Sequence, residues 1–262
     1  MREYKYIITE QKKQVFSILL NRPDVHNAMN AEMIAEMTHA FRDADRLEGV
    51  RAIVLRGEGK SFCAGADLNY MKEIAAFGLD ENYQDGLRLA ELFRTIYETS
   101  KPTIAVVRGA AFGGANGLLA ACDLAIAGEN TTFAFSEVKL GIIPATIAPF
   151  VIRRIGEFAA KDLMMTGRRF KAPEALSYHL INACLPENEV EEYVSKLISQ
   201  LHSSAPLAVQ ETKRLIGFVM REQDSAKVID RTAHWIAERR ASDEGQEGMS
   251  SFLEKRKPNW VE

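Results

Sequence analysis

Two neighbouring segments carry most of the residues able to do chemistry. The first runs Arg108-Gly-Ala-Ala-Phe-Gly-Gly-Ala-Asn-Gly-Leu-Leu-Ala-Ala-Cys-Asp123, with glycines where a backbone can meet a ligand and no acid until its last residue. The second, Phe135-Ser-Glu-Val-Lys-Leu-Gly-Ile-Ile-Pro144, supplies one carboxylate, Glu137, inside apolar surroundings. Backbone amide donors followed by a lone acid suit an oxyanion site served by one proton-transfer group. Gly114 opens a helix after a Gly-Gly turn, where unsatisfied amides and the positive helix end favour an anion. Close helix packing is the other use of the Gly113-Gly114 pair. Burial beside Phe133, Phe135, Ile142 and Ile143 is expected to raise the pKa of Glu137 by desolvation; an ion pair with Lys139 or a distant Arg is the alternative. Asn116 can hydrogen-bond a water or an acyl group, or serve as a polar residue at a helix start. Asp123 reads as a helix terminator or a partner for backbone amides, and Cys122 as a small core residue.

The elements that position these residues follow from periodicity. Tyr4 to Thr9 and Val15 to Leu20 are short β-favouring runs that form a hairpin. Asn30 caps a helix with Ile34, Met37, Phe41 and Ala44 on one face, ending near Gly49. Val50 to Leu55 is a buried strand, Gly57 to Ala66 a loop, and Asp67 the N-cap of a short helix. A helix over Asn82 to Glu98, a strand over Thr103 to Val107, a helix from Gly114 and a strand over Leu124 to Ala127 continue the alternation. Beyond Pro173 the pattern is helical, near Val190 to Leu201, Pro206 to Met220, Ser225 to Arg240 and Glu244 to Lys255. This predicts an α/β chain with a core over residues 1–200 and a helical region over 201–262.

The 262 residues suffice to bury a substantial core, and the net charge of -3 gives no general attraction to nucleic acid or an anionic membrane. Cys63, Cys122 and Cys184 show neither zinc spacing nor a disulfide framework, so no metal is expected and a reduced, cytoplasmic setting fits. The first residues lack an apolar secretory core, and no stretch is long enough to span a bilayer.

Taken together, Asn21-Arg-Pro, Asn27-Ala, Ser61-Phe-Cys-Ala-Gly-Ala-Asp-Leu68, Gly109 to Asp123, Ser136-Glu-Val-Lys-Leu-Gly-Ile-Ile-Pro144 and Phe252-Leu-Glu-Lys-Arg-Lys257 resemble the enoyl-CoA hydratase/isomerase, or crotonase, superfamily. The resemblance covers nearly the whole chain. It implies a spiral of ββα turns whose C-terminal helices form a homotrimer, often paired into a hexamer. It implies an acyl-CoA thioester substrate, coenzyme A entering as part of the substrate and no other cofactor. The N–H groups at Ala66 and Gly114 would hold the thioester oxygen as an enolate forms. Glu137 matches the second of two glutamates in typical hydratases, whereas the first aligns with Gly117. Gly113, Asn116 and Gly117 would line the acyl site. CoA would lie along Phe62, Cys63, Ala64, Ala66, Asp67 and Leu68, with Phe252 beside it and Lys255 near its phosphates. Without the resemblance, Glu254 to Pro258 is a solvated charge cluster.

One carboxylate suffices for syn hydration of an enoyl-CoA or for moving a proton between the α- and γ-carbons in a Δ3,Δ2-isomerisation. Within the superfamily the motifs look most like methylglutaconyl-CoA hydratase-type members, which act on branched enoyl-CoAs. Decarboxylation of a glutaconyl-type CoA and a non-catalytic CoA-binding scaffold are further alternatives. RNA binding, known for some relatives, finds no support in Asn82 to Thr99, where Arg88 and Arg94 face Asp85, Glu91 and Glu98. If Lys255 reaches the CoA phosphates, Lys255→Ala should weaken CoA binding, and more so at low salt; unchanged affinity in a salt-series titration rejects the contact.

Overall fold

The computed structural model describes residues 2–261. Half-buried and buried positions alternate along β2 (Val15–Leu20), which pairs antiparallel with the largely exposed β1 (Ile7–Lys12) from Ile7↔Leu20 to Lys12↔Val15. β1 begins later than the Tyr4 run predicts. The N–H groups of Lys5 and Tyr6 instead donate to the Glu36 carboxylate at 2.7 and 2.9 Å, which withdraws this stretch from the ladder. Glu36 lies on α1 (Ala31–Arg46), a helix capped by the Asn30 side chain accepting from the Met33 N–H. Its inner face buries Met33, Ile34, Met37, Phe41 and Ala44, so the predicted stripe is present.

Parallel strands extend the sheet from β2. These are β3 (Ala52–Gly57), β4 (Thr103–Val107), β6 (Leu124–Gly128) and β9 (Ala183–Leu185), giving the order β1-β2-β3-β4-β6-β9. All five residues of β4 are buried, as expected of a parallel strand covered on both faces. A second sheet sets β7 (Thr132–Ala134) between β5 (Ala110–Phe112), which is parallel to it, and β8 (Arg169–Lys171), which is antiparallel.

Helices fill the connections. α2 (Leu68–Ala75) is capped by Asp67, and α3 (Leu79–Glu98) starts at Leu79 because the Glu81 side chain accepts from the Gly78 N–H at 2.9 Å. α4 (Gly114–Ala121) follows β5 directly. α5 (Ala148–Thr166) is absent from the sequence reading: Pro149 falls in its first turn and Gly156, at φ 72° and ψ 172°, breaks its regularity. α6 (Ala172–Ser177) and α7 (Val190–Ser203) complete this half.

The chain divides into two compact units, one formed by residues up to Thr99 with Thr103–Val194, the other by Ser100–Pro102 with the residues from Ser195 onward. Residue 200 lies within α7. In the second unit α8 (Pro206–Val219), α9 (Ser225–Ala241) and α10 (Asp243–Leu253) pack together. Trp235 is their anchor: its indole N–H donates to Glu211 at 2.7 Å, Phe218 meets it edge-on, and Arg214 and Arg231 lie over the ring. The Glu244 carboxylate accepts from the Leu207 and Ala208 N–H groups at the start of α8, both at 2.8 Å. Among the described residues no helix is long and apolar enough to cross a membrane.

Within the first unit, one buried side chain fixes the loop that links β3 to α2. Asn27, fully buried at φ 56°, accepts from the Arg22 N–H at 2.8 Å and donates to the carbonyls of Glu58 and Ser61, both at 2.8 Å. Asn tolerates this left-handed backbone better than most residues. The loop then runs beside β5: Phe62 N–H donates to Arg108 O, Cys63 N–H to Ala110 O and Phe112 N–H to Cys63 O, at 2.7, 3.0 and 3.1 Å. Gly109 permits this approach, because a Cβ there would fall 1.8 Å from the Lys60 carbonyl oxygen. Asn27→Ala removes the partner of the Arg22 N–H and of the Glu58 and Ser61 carbonyls, the last of them buried, and should cost about 2–4 kcal/mol in urea unfolding; a change under about 0.5 kcal/mol would show that Asn27 does not hold the loop.

Candidate active site

The stitching of the loop to β5 delivers two backbone amides to one neighbourhood. Met29 brackets Ala66: its N–H donates to Gly65 O at 2.7 Å, and its carbonyl accepts from the Asp67 N–H at 2.9 Å. Between these bonds the N–H of exposed Ala66 has no protein partner among the described residues. Gly65 is required at φ 97°, where a Cβ would press on the Phe112 carbonyl oxygen at 2.9 Å. β5 leads into Gly113, whose φ 52° and ψ -124° turn the chain into α4 while its N–H is spent on Ala134 O at 2.9 Å. The next N–H, that of Gly114, likewise has no protein acceptor among the described residues. A Cβ on Gly114 would lie 2.8 Å from the Met29 methyl, so Met29 touches both positions.

The carboxyl arrives by strand register. β7 runs parallel to β5 with Phe112 opposite Ala134, and the 3₁₀ turn Ser136–Leu140 then sets Glu137 beside the Gly113 turn. Its Oε1 lies 3.4 Å from the place a Gly113 Cβ would take, and its Oε2 is buried without a hydrogen-bond partner. Desolvation raises the Glu137 pKa above the ordinary carboxylate range, its own backbone N–H opposing this more weakly. Neither Lys139 nor an arginine pairs with it among the described residues. Phe133 and Phe135 are fully buried, with Phe170 stacked on both at 5.6 and 6.0 Å. Ile142 and Ile143, expected as buried neighbours of Glu137, are themselves 54% and 73% exposed. Gly141, left-handed at φ 75°, ends the turn and sends the chain outward.

Gly117 lies buried within α4, and the space in front of it is taken. A Cβ there would sit 2.4 Å from Ile147 Cγ2 and 2.7 Å from Phe93 Cζ. A longer side chain would need both to move. Asn116 is fully buried; its amide nitrogen donates to Ala134 O at 2.9 Å and Gly113 O at 3.3 Å, while its Oδ1 has no partner. An unpaired buried acceptor costs about 1–3 kcal/mol.

The other expected residues fall in distinct settings. Phe62 and Cys63 turn their side chains into the core, and burial pushes the Cys63 thiol up to about 12, leaving only their backbone for a ligand. Ala64 is half-buried and Leu68 is 76% exposed. Asp67 is committed to the fold: it caps α2 and accepts from Arg22 at 2.9 Å. Burial would raise its pKa, but the Tyr70 N–H and Arg22 outweigh this and hold it below its ordinary value. Asp123 accepts from the Thr103 N–H and hydroxyl at 2.8 and 2.9 Å, matching its reading as a partner for backbone amides. Phe252 and Lys255 belong to the second unit. Phe252 is 82% exposed on α10, which ends at Leu253, short of the predicted Lys255. Lys255 takes a left-handed φ of 55° just past the helix, and its neighbour Arg256 is held by Glu247 and Glu254. Met29, Phe93 and Ile147 went unrecognised in the sequence, where a lone apolar residue in or beside a helix carries no mark of what it faces. No cluster of three or more His, Cys, Asp or Glu able to hold a metal occurs among the described residues.

The arrangement offers two unengaged amides and a carboxyl with elevated proton affinity. The enoyl-CoA hydratase/isomerase family model matches residues 10–262. A short-chain-enoyl-CoA hydratase of Clostridium acetobutylicum is 33% identical over 97% of both chains, and a crotonyl-CoA hydratase of Syntrophomonas wolfei is 33% identical over 98% of both. Among solved structures, an enoyl-CoA hydratase from Shewanella pealeana is 38% identical with a TM-score of 0.95, covering 98% of this chain and 97% of that one. The chain belongs to the enoyl-CoA hydratase/isomerase family and has its α/β crotonase fold.

The environment of Glu137 carries a consequence for stability. A carboxyl whose pKa is raised on folding binds more protons in the native state than in the unfolded chain, so stability falls as pH rises from the ordinary glutamate range through the elevated folded value. Glu137→Gln removes that loss. Its Tm should exceed wild type at about pH 8, by about 2–4 °C per kcal/mol recovered, and the gain should vanish near about pH 4; a pH-independent difference in thermal scans would contradict a desolvated, ionisable Glu137.

Proposed function

We propose that this protein is an enoyl-CoA hydratase that adds water reversibly across the 2,3 double bond of an enoyl-CoA thioester, without metal or redox cofactor. The observation that carries the reading is the solitary, desolvated Glu137 carboxyl beside the Gly113-Gly114 turn, with the amides of Gly114 and Ala66 unengaged. In this reading the two amides donate to the thioester oxygen as it gains charge, an interaction of several kcal/mol in a preorganised site. Ionised Glu137 takes a proton from water as the oxygen bonds to the β-carbon, then returns that proton to the α-carbon. Its raised proton affinity suits both halves of this exchange.

Support for a single acid/base comes from Gly117, whose surroundings are filled by Phe93 and Ile147. The same observation favours a second reading, Δ3,Δ2-enoyl-CoA isomerisation, which also needs one carboxyl. The methylglutaconyl-type substrate is the finer part of the proposal and rests on the sequence motifs alone, as do a cytoplasmic homotrimer or dimer of trimers and CoA along the backbone of Phe62 to Leu68.

Wild type and Glu137→Gln incubated with crotonyl-CoA, 3-methylglutaconyl-CoA and a 3-enoyl-CoA separate these readings by mass spectrometry. Hydration adds the mass of one water, and Glu137→Gln should slow it by about 10²–10⁴-fold. Isomerisation of the 3-enoyl-CoA at unchanged mass, with no hydration, would favour the second reading. Turnover of none of the three would point to the scaffold alternative.

A further inference from the structure

We propose that Asn116 is a second catalytic residue, its Oδ1 holding the attacking water against Glu137. This role rests on the hydratase reading. Asn116 and Glu137 come from different elements yet share a neighbour, the Gly113 turn. The Asn116 amide nitrogen donates to Gly113 O and Ala134 O, while Glu137 Oε1 lies 3.4 Å from the Gly113 Cβ position. Two carbonyl acceptors fix the amide's orientation, since the flipped form would set oxygen against oxygen. Oδ1 is thereby left as an acceptor, on a fully buried side chain, without a partner. Glu137 Oε2 is the matching buried atom without a partner.

A water has two hydrogens to place. In the proposed arrangement it donates one to ionised Glu137 and the other to Asn116 Oδ1, which aims its lone pair at the β-carbon. The C–O bond forms as the O–H bond to Glu137 breaks, the alkene electrons move onto the thioester oxygen held by Ala66 and Gly114, and collapse of the enolate takes the proton from Glu137 to the α-carbon. Asn116 gains and loses no proton. An amide at 116 thus supplies an acceptor where Phe93 and Ile147 leave no room for a second carboxyl at Gly117.

Two reactions of the same enzyme separate water-holding from structural support. Hydration of crotonyl-CoA needs the water, whereas deuterium exchange at the α-carbon of butyryl-CoA in heavy water needs only Glu137 and the oxyanion donors. The ratio of the two rates is independent of how much protein is folded. Asn116→Ala should lower the hydration-to-exchange ratio about 100-fold, the scale of a misplaced reactant. Asn116→Asp keeps an acceptor oxygen but loses the amide hydrogens, and should restore the ratio to within about tenfold of wild type. Proportional loss of both reactions in Asn116→Ala, or equal ratios in the Ala and Asp variants, would overturn the proposal and leave Asn116 as a clamp on the Gly113 turn. Wild type that exchanges deuterium but never hydrates would sink the hydratase reading and this role with it.

Discussion

The hydrogen bonds joining Phe62 and Cys63 to β5 are the constraint on which the site depends. They align the loop carrying Ala66 with the strand that ends at Gly113, so two amides from distant parts of the chain both lie against Met29. Three glycines make that alignment sterically feasible: Gly109 passes the Lys60 carbonyl, Gly65 passes that of Phe112, and Gly113 turns the chain into α4. Asn27 holds the far end of the loop from inside the core. Because the donors are backbone groups fixed by other backbone groups, little reorganisation is needed when charge develops on a bound oxygen.

The second sheet adds the proton-transfer group by the same economy. Parallel pairing of β5 with β7 sets Glu137 beside Gly113, where its Oε2 is buried without a hydrogen-bond partner. A carboxyl in such a setting is costly to ionise, so the position that raises its proton affinity also reduces the stability of the fold at neutral pH. Function and stability pull in opposite directions at this residue.

Much of this was legible in the sequence because its signals are local. The Asn30 cap with its Ile34, Met37 and Phe41 stripe, the Asp67 cap, the Gly-Gly turn before α4 and the isolation of Glu137 are all readable from a few neighbouring residues. What was missed depends on distant partners. β5, β7, β8 and β9 have three residues each, too few for alternation to register, and exist through pairing across the chain. α5 gave no clear helical signal because it carries Pro149 in its first turn and a non-helical Gly156 in its interior. Ile142 and Ile143 looked like a wall around Glu137, but a left-handed Gly141 turns them to the surface. The residues that fill the space before Gly117 come from α3 and from just ahead of α5, and no spacing in the sequence relates them.

The central claim, that the amides of Ala66 and Gly114 polarise a thioester carbonyl beside Glu137, is tested most directly by isotope-edited infrared spectroscopy of carbonyl-¹³C crotonyl-CoA bound to Glu137→Gln, which holds the ligand while turnover is slow. The labelled carbonyl band is predicted to move to lower frequency than in free solution, as two hydrogen bonds weaken the C=O bond. A band at its solution frequency, with binding shown independently, would contradict the account.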